Sequence, residues 1–289
     1  MNERVTIVIV SYNCHDALWE CLRKLNGGAG VPPIIVVDNS STDESVELVT
    51  KDFPAVRLIR NPTNCGFAAA ANQGIRASTS DFILLLAPDM FLNMPDLQKL
   101  YEAIYLRPKV GICAPRILNP SISARPVHLS LPTITAIICK ELGLIRPFPS
   151  HRCFARYRMG GWIEADRVDQ ASRSCLLLRR TALEHIGLLD EQFFLYFEDV
   201  DLCWRLRQGG WQTLFVTDAI VTQNWGSDDK TERAETLGRW YQGLFAFYRR
   251  HRPRWQLPVL RGVVQVAALF RIITGKREYW PIAKSVWKL

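Results

Sequence analysis

"VTIVIVSYNCHD", residues 5–16, decides the architecture. Val5 to Val10 form a continuous apolar and β-branched run, as a strand covered on both faces requires. The run stops at Ser11–Tyr12–Asn13, and helical spacing takes over from His15 to about Leu25. More units of the same kind follow. "PIIVVD" (33–38) reads as a strand, and "STDESVELVTKD" (41–52) as a helix with a Ser/Thr cap. "VRLIRN" (56–61) is a strand and "GFAAAANQGIRAS" (66–78) an Ala-rich helix. "DFILLLAPD" (81–89) is a strand ending in a turn, "PDLQKLYEAIYLRP" (95–108) a helix, and "VGICAP" (110–115) a strand. Strand–helix alternation over short links predicts an α/β fold with a parallel, right-handed, doubly wound sheet.

Residues 116–165 hold prolines at 120, 126, 132, 147 and 149 and keep no period, which predicts loops and short helices over the sheet. "SRSCLLLRR" (172–180) resumes as a strand, followed by a short helix and turn in "TALEHIGLLDEQF" (181–193). "WQTLFVTDAIVTQN" (211–224) reads as two strands. Between them lies "FFLYFEDVDLCWR" (193–205), in which rings run directly into Glu198, Asp199 and Asp201. The rings read as a buried aromatic strand and the helix as starting at Asp199, with Gly209–Gly210 as its stop. Acids at a helix start can simply cap it and complement its dipole. The rest of the chain has to decide between capping and chemistry.

The 289 residues suit one large domain with or without an appendage. The apolar run at the N-terminus is too short for a signal peptide, and no apolar run reaches the ~20 residues of a membrane span. Cysteines 14, 21, 65, 113, 139, 153, 175 and 203 are scattered, without CxxC or zinc spacing, and read as reduced core residues of a cytoplasmic protein. The net charge of +8 is confined to the tail, where 13 basic and five acidic residues follow Ser227's predecessor Gly226 inclusive. A basic tail on a neutral body argues for a surface contact and against nucleic acid as a partner.

Ligands of an open parallel sheet bind beyond the carboxyl ends of its strands. There the sequence places Ser11, Tyr12 and Asn13, then Asp38 and Asn39, then Asn61 and Asn64, then Asp89. Any one is a common turn residue, but the set converges on one edge. The turn "SYNCHD" has no glycine, which excludes a G-x-G-x-x-G dinucleotide site, and no GxxxxGK[ST] loop occurs. A bound diphosphate would therefore need a divalent metal on Asp89 to offset its charge.

With these segments in view, the sequence resembles the family 2 inverting glycosyltransferases of the A-type (GT-A) fold, above all their rhamnosyltransferase-like members. The resemblance rests on "VTIVIVSYN", "IIVVDNSSTDES", "NPTNCGFAAAANQGIRAS", "DFILLLAPDM", "CLLLRRTALEHIGLLDEQFFLYFEDVDLCWRLRQGGW" and "VTDAIVTQNWG", in the family's order. It covers about residues 4–226 and implies a catalytic domain over 1–226; beyond it, residues 227–289 read from their own composition as a basic, Trp-rich helical tail. The resemblance implies that Ser11, Tyr12 and Asp38 hold the nucleotide base and ribose, with Asp38 accepting from a pyrimidine N–H; Asn13 and Asn39, at the same strand ends, are expected to line the substrate site with them. Asn64 and Asn72 would flank the nucleotide, Glu198 would lie in the substrate site, Asp89 would bind Mg2+ or Mn2+, and Asp199 would be the catalytic base. The implied reaction moves a sugar, L-rhamnose from dTDP-rhamnose first among the options, to a glycan or lipid-linked acceptor in surface polysaccharide synthesis.

Three positions depart from that pattern. Ala87 stands where Asn is common, Gln223 or Asn224 where a His is usual, and Arg173–Ser174 where a small residue precedes the strand. The first two predict a weaker hold on metal; Arg173 is expected to face solvent. A nucleotidyltransferase would want a Gly-rich basic loop after the first strand, which is missing. The rival of another class is an inactive sugar-nucleotide-binding or scaffold protein, against which both Asp89 and Asp199 argue. In the tail, a helix is expected from about Pro258 to Ile273, with Arg261, Gln265 and Arg271 toward one side. That suits a helix lying in an anionic membrane interface at the inner face of the cell membrane. Packing on the catalytic domain or in a homodimer is the alternative.

Overall fold

A computed structural model describes residues 1, 3–26, 30–118, 131–143, 167–223 and 230–288. Cys153, Asn224, the 226/227 boundary and most of the expected irregular stretch lie outside the described residues.

The first half alternates as expected: β1 (Val5–Ser11), α1 (His15–Leu25), β2 (Ile34–Asp38), α2 (Ser45–Asp52), β3 (Arg57–Arg60), α3 (Phe67–Ala77) and β4 (Phe82–Leu86). A short β5 (Met90–Leu92), too brief to show a period, precedes α4 (Met94–Tyr105) and β6 (Val110–Leu118). Then come α5 (Ile134–Glu141), β7 (Arg167–Val168), β8 (Cys175–Arg179), α6 (Arg180–Ile186), α7 (Glu198–Gln208) and β9 (Gln212–Gln223). The tail is α8 (Lys230–His251), α9 (Gln256–Ile273), a 3₁₀ turn (Arg277–Tyr279) and α10 (Trp280–Ser285).

The strands form one sheet in the order β3-β2-β1-β4-β8-β6-β9-β5, with β7 on β9. β1 to β4 are mutually parallel, but β8 enters between β4 and β6 antiparallel to both, so the sheet is mixed. An apolar run covered on both faces carries no sign of direction, which is why the sequence read as all parallel. The two strands expected in residues 211–224 are one strand, β9. Its pairing with β6 jumps from Pro115–Val216 to Arg116–Ile220. The slack at Thr217–Ala219 is a bulge, and Thr217–Asp218 look like a break in sequence.

Register places the ligand edge. Ser11 is opposite Asp38, and the ladder runs one step past the strands through Asn39 N–H to Ser11 O (2.8 Å) and Asn61 N–H to Asp38 O (2.9 Å). Two apolar layers cover the sheet, α1, α2 and α4 on one face and α3, α6 and α7 on the other. A third apolar cluster joins Phe193, Phe197 and Val200 to Tyr241, Phe245, Phe247, Leu260 and Val264 of the tail.

Residues 193–197 are no strand. They form an elbow in which Tyr196 and Phe197 both have left-handed backbone, φ 70° and 72°. Bulky residues hold that conformation only where their surroundings impose it. Two glycines do so. Gly66, itself at φ +85°, leaves no space for a Cβ, which would lie 2.6 Å from Phe194 O; a Cβ on Gly243 would lie 2.7 Å from Tyr196 O. Phe67 N–H also donates to Phe194 O at 2.8 Å.

The polar side of α9 faces the protein. Arg271 turns inward to Glu141 (2.6 Å), Arg261 lies over the Phe245 ring, and Gln265 Oε1 is buried. The outward side carries Val259, Val266, Leu269, Phe270 and Ile273, the last three-quarters or more exposed at 83%. The buried Glu141, which also accepts from Tyr241 Oη (2.8 Å), pulls Arg271 in.

Candidate active site

The corner of β1 and β2 is tied together by amides. Asn13 Oδ1 accepts from Thr42 N–H (2.7 Å), and Asn13 N–H donates to Ser41 Oγ (3.0 Å). Asn39 Nδ2 donates to Asn64 Oδ1 (2.8 Å), while Asn39 Oδ1 accepts from Cys65 N–H and Asn61 Nδ2, each at 3.1 Å. Asn64 Oδ1 also accepts from Gly66 N–H (3.0 Å). These amides shape the loop that leads into Gly66 and the elbow. Ser11 is buried beside Cys14 Sγ, and Tyr12 is half exposed at the rim. Asp38 is buried; its Oδ2 accepts from Ser41 N–H (3.0 Å), and its Oδ1 has no partner. An unmatched buried carboxylate oxygen is costly and suits an incoming N–H donor.

Ser11, Tyr12, Asn13, Asp38, Asn39 and Asn64 thus share one corner. Asn72 stands apart. It is buried in mid-α3, bonded to Leu189 O, Leu189 N–H and Glu191 Oε1. Its amide fastens α3 to residues 189–191.

Asp89 lies where β4 turns into β5, and Gln223 Nε2 donates to its Oδ2 at 2.7 Å. Among the described residues, no three His, Cys, Asp or Glu side chains converge as a metal-binding group. Mg2+ commonly sits on one or two carboxylates plus substrate phosphates, and Asp89 fits that minimal arrangement.

The acids of α7 form the other wall. Glu198 is 0% exposed, with Oε1 on Arg173 Nη1 (3.0 Å) and Oε2 unpartnered. Asp199 is partly exposed; its Oδ2 accepts from Arg173 N–H (3.1 Å) and its Oδ1 from Val200 N–H (2.8 Å). Burial pushes the Glu198 carboxyl up to about 7, against the pull of Arg173 and with the repulsion of Asp199. Burial also pushes Asp199 above the ordinary range, again opposed by Arg173. A carboxylate raised in this way is a better proton acceptor at neutral pH.

Two expectations are corrected here. Arg173 does not face solvent: its side chain is 24% exposed and wedged between the Phe67 and Tyr196 rings. The buried negative charge of Glu198 draws it in. Asp201 does not cap the helix. It is buried and bonded to Arg205 Nε and His251 Nε2, each at 2.6 Å. His251 belongs to α8, 50 residues away, and no local pattern could have revealed it.

An amide-rich strand edge facing an acid at a helix start, over a mostly parallel mixed sheet, is the layout of a GT-A glycosyltransferase. The same fold is found in the mannosyltransferase PcManGT from Pyrobaculum calidifontis, solved with GDP-Man and Mn2+. The match has a TM-score of 0.56 at 16% identity and covers 98% of this chain and 73% of that one. The chain belongs to glycosyl transferase family 2, whose profile matches residues 6–187. It is similar to N-acetylglucosaminyl-diphospho-decaprenol L-rhamnosyltransferase of Mycobacterium tuberculosis, at 28% identity over 96% of both chains. It is also similar to the low-salt glycan biosynthesis hexosyltransferase Agl10 of Haloferax volcanii, at 30% identity over 72% of this chain and 63% of that one.

Proposed function

We propose that the protein is an inverting glycosyltransferase that moves L-rhamnose from dTDP-rhamnose to a lipid-linked glycan acceptor in surface polysaccharide synthesis. The observation that carries the reading is Asp199: a partly exposed carboxylate at a helix start, of raised proton affinity, bonded to the main chain of Arg173, whose neighbour Ser174 pairs with the turn that leads to Asp89. The mycobacterial relative, named for rhamnose transfer to a diphospho-decaprenol sugar, supports this choice of donor and acceptor.

Asp38 Oδ1 accepts the N–H of the pyrimidine, and Ser11 and Tyr12 border the base and ribose. Asp199 takes the proton of the acceptor hydroxyl. The oxygen attacks the anomeric carbon from the face opposite the diphosphate, forming one C–O bond as the bond to the leaving phosphate breaks. One displacement inverts the configuration and needs no covalent intermediate on the protein. Mg2+ or Mn2+ held by Asp89 and the donor phosphates would offset the charge on the leaving diphosphate.

The acceptor also sets the place of work. On α9, Val266, Phe270 and Ile273 face outward, flanked by exposed Trp255, Trp280 and Trp287 and by exposed Lys276, Arg277 and Lys284. By length and composition α9 could cross a membrane, but Leu260, Val264 and Ala268 are packed into the tail cluster. An apolar stripe with a tryptophan and basic border suits a helix lying on an anionic bilayer, here the inner face of the cell membrane. The functional test is a thermal-shift screen of nucleotide sugars, then transfer assays with the stabilising donor. Stabilisation by dTDP-rhamnose and an inverted product are expected; a retained anomeric configuration would overturn the mechanism.

A further inference from the structure

Arg173 is drawn inward beside two acids, and its surroundings give it a role. It precedes β8, which runs against the parallel strands, so it lies at their ligand edge. Ala87 N–H donates to Ser174 O at 2.9 Å, placing Arg173 beside the turn that carries Asp89. Its ring neighbours come from two different segments: Phe67 follows the nucleotide loop, and Tyr196 belongs to the elbow, with guanidinium-to-centroid distances of 5.0 and 4.8 Å. Its two polar ends grip adjacent acids, the main-chain N–H on Asp199 and the guanidinium on Glu198.

We infer that Arg173 is a positioning residue of the transfer reaction, clamping Asp199 and Glu198 so that the base carboxylate stays ionised and aimed at the acceptor. The inference rests on Asp199 being the base. A buried carboxylate, Glu198, and a partly exposed one on the next residue, Asp199, repel each other and do not both stay charged without a countercharge. Among the described residues, Arg173 is the cation paired with Glu198, and its main-chain N–H bonds Asp199. The remaining groups around them do not compete for that role. Asp201, one turn along α7, is already bonded to Arg205 and His251. The Cys203 thiol is pushed up to about 12 by burial and stays protonated. Arg239, on α8, lies over the Phe194 ring and pairs with Glu235. Tyr196 offers its ring face to Arg173.

The test is the pH profile of kcat for rhamnosyl transfer, measured beside dTDP affinity by calorimetry. Arg173→Ala should move the acid limb to higher pH, so activity lost at neutral pH returns in more alkaline buffer. Below the displaced limb the rate should fall about tenfold per pH unit, as the ionised fraction of the base does. Arg173→Lys, which keeps the charge and the peptide, should restore part of the shift. Glu198→Gln removes the competing acid and should move the limb the opposite way. dTDP affinity should be unchanged throughout. An unmoved limb in both Arg173→Lys and Glu198→Gln would overturn the inference, even if Arg173→Ala failed to fold. Weakened dTDP binding with a normal profile would also overturn it and assign Arg173 to the donor diphosphate. Full activity of Asp199→Asn would instead remove the base assignment, a separate failure.

Discussion

Gln223 and Asp89 face each other at the junction of β5 and β9, with the Gln223 amide donating to Asp89 Oδ2 at 2.7 Å. An amide N–H there occupies a carboxylate oxygen that a cation would otherwise use. Metal must therefore compete with Gln223 for Asp89. Gln223→His should tighten Mn2+-dependent dTDP binding, because a neutral imidazole is a metal ligand. Asp89→Ala should abolish the metal-dependent part. Calorimetry of dTDP with Mn2+ and with chelator checks both, and equal wild-type affinity in the two conditions would mean that binding does not need metal.

Asp199→Asn removes the proton acceptor and almost no volume. Transfer should fall by roughly 100-fold or more, the usual scale of general-base loss. dTDP affinity and the melting temperature should be kept. Near wild-type turnover with an unactivated acceptor would falsify the base assignment.

Among the described residues Asp38 Oδ1 has no partner, so its worth is in the complex. Asp38→Ala should weaken dTDP binding by about 1.5–3 kcal/mol, the value of a hydrogen bond to a charged group. The Ser41 turn also loses an acceptor, so melting curves are run alongside. A folded Asp38→Ala variant with unaltered affinity would take Asp38 out of the nucleotide site.

Asp201 is held by His251 and Arg205 where neither can be replaced by water. His251→Ala should cost about 2 kcal/mol of stability through the lost bond to a buried carboxylate. Denaturant unfolding measures it. A loss within error would show that Arg205 alone satisfies Asp201.

The outward stripe of α9 can be changed without touching the core. Phe270→Asp with Ile273→Asp should abolish sedimentation with anionic vesicles and leave the melting temperature near that of wild type, since both residues are exposed. Wild-type binding should weaken as salt rises. Wild-type protein that stays in the supernatant at low salt would point to a second copy or a packed tail instead.

The strands of the first half were legible because apolar runs and polar stops mark them, and the nucleotide corner because register follows from those stops. The direction of β8 was not, since a two-faced strand looks alike in either sense. The elbow read as a strand because aromatic residues favour extended backbone; only Gly66 and Gly243, distant in sequence, force it to turn. The sequence put Arg261, Gln265 and Arg271 on one side of α9 without saying which way that side faces. Charged residues are expected outside, and Glu141, the partner that draws Arg271 in, is 130 positions away.

The elbow is hemmed in by two glycines, one on the nucleotide loop and one on α8, each facing a carbonyl of residues 194–196. Neither can gain a side chain unless the others move. Positions 66, 194–197 and 243 should therefore change together among related sequences. A relative with a larger residue at one glycine should show a rebuilt elbow or a displaced helix, and grafting a foreign tail onto residues 1–226 should fail unless the tail brings its own small residue to that crossing.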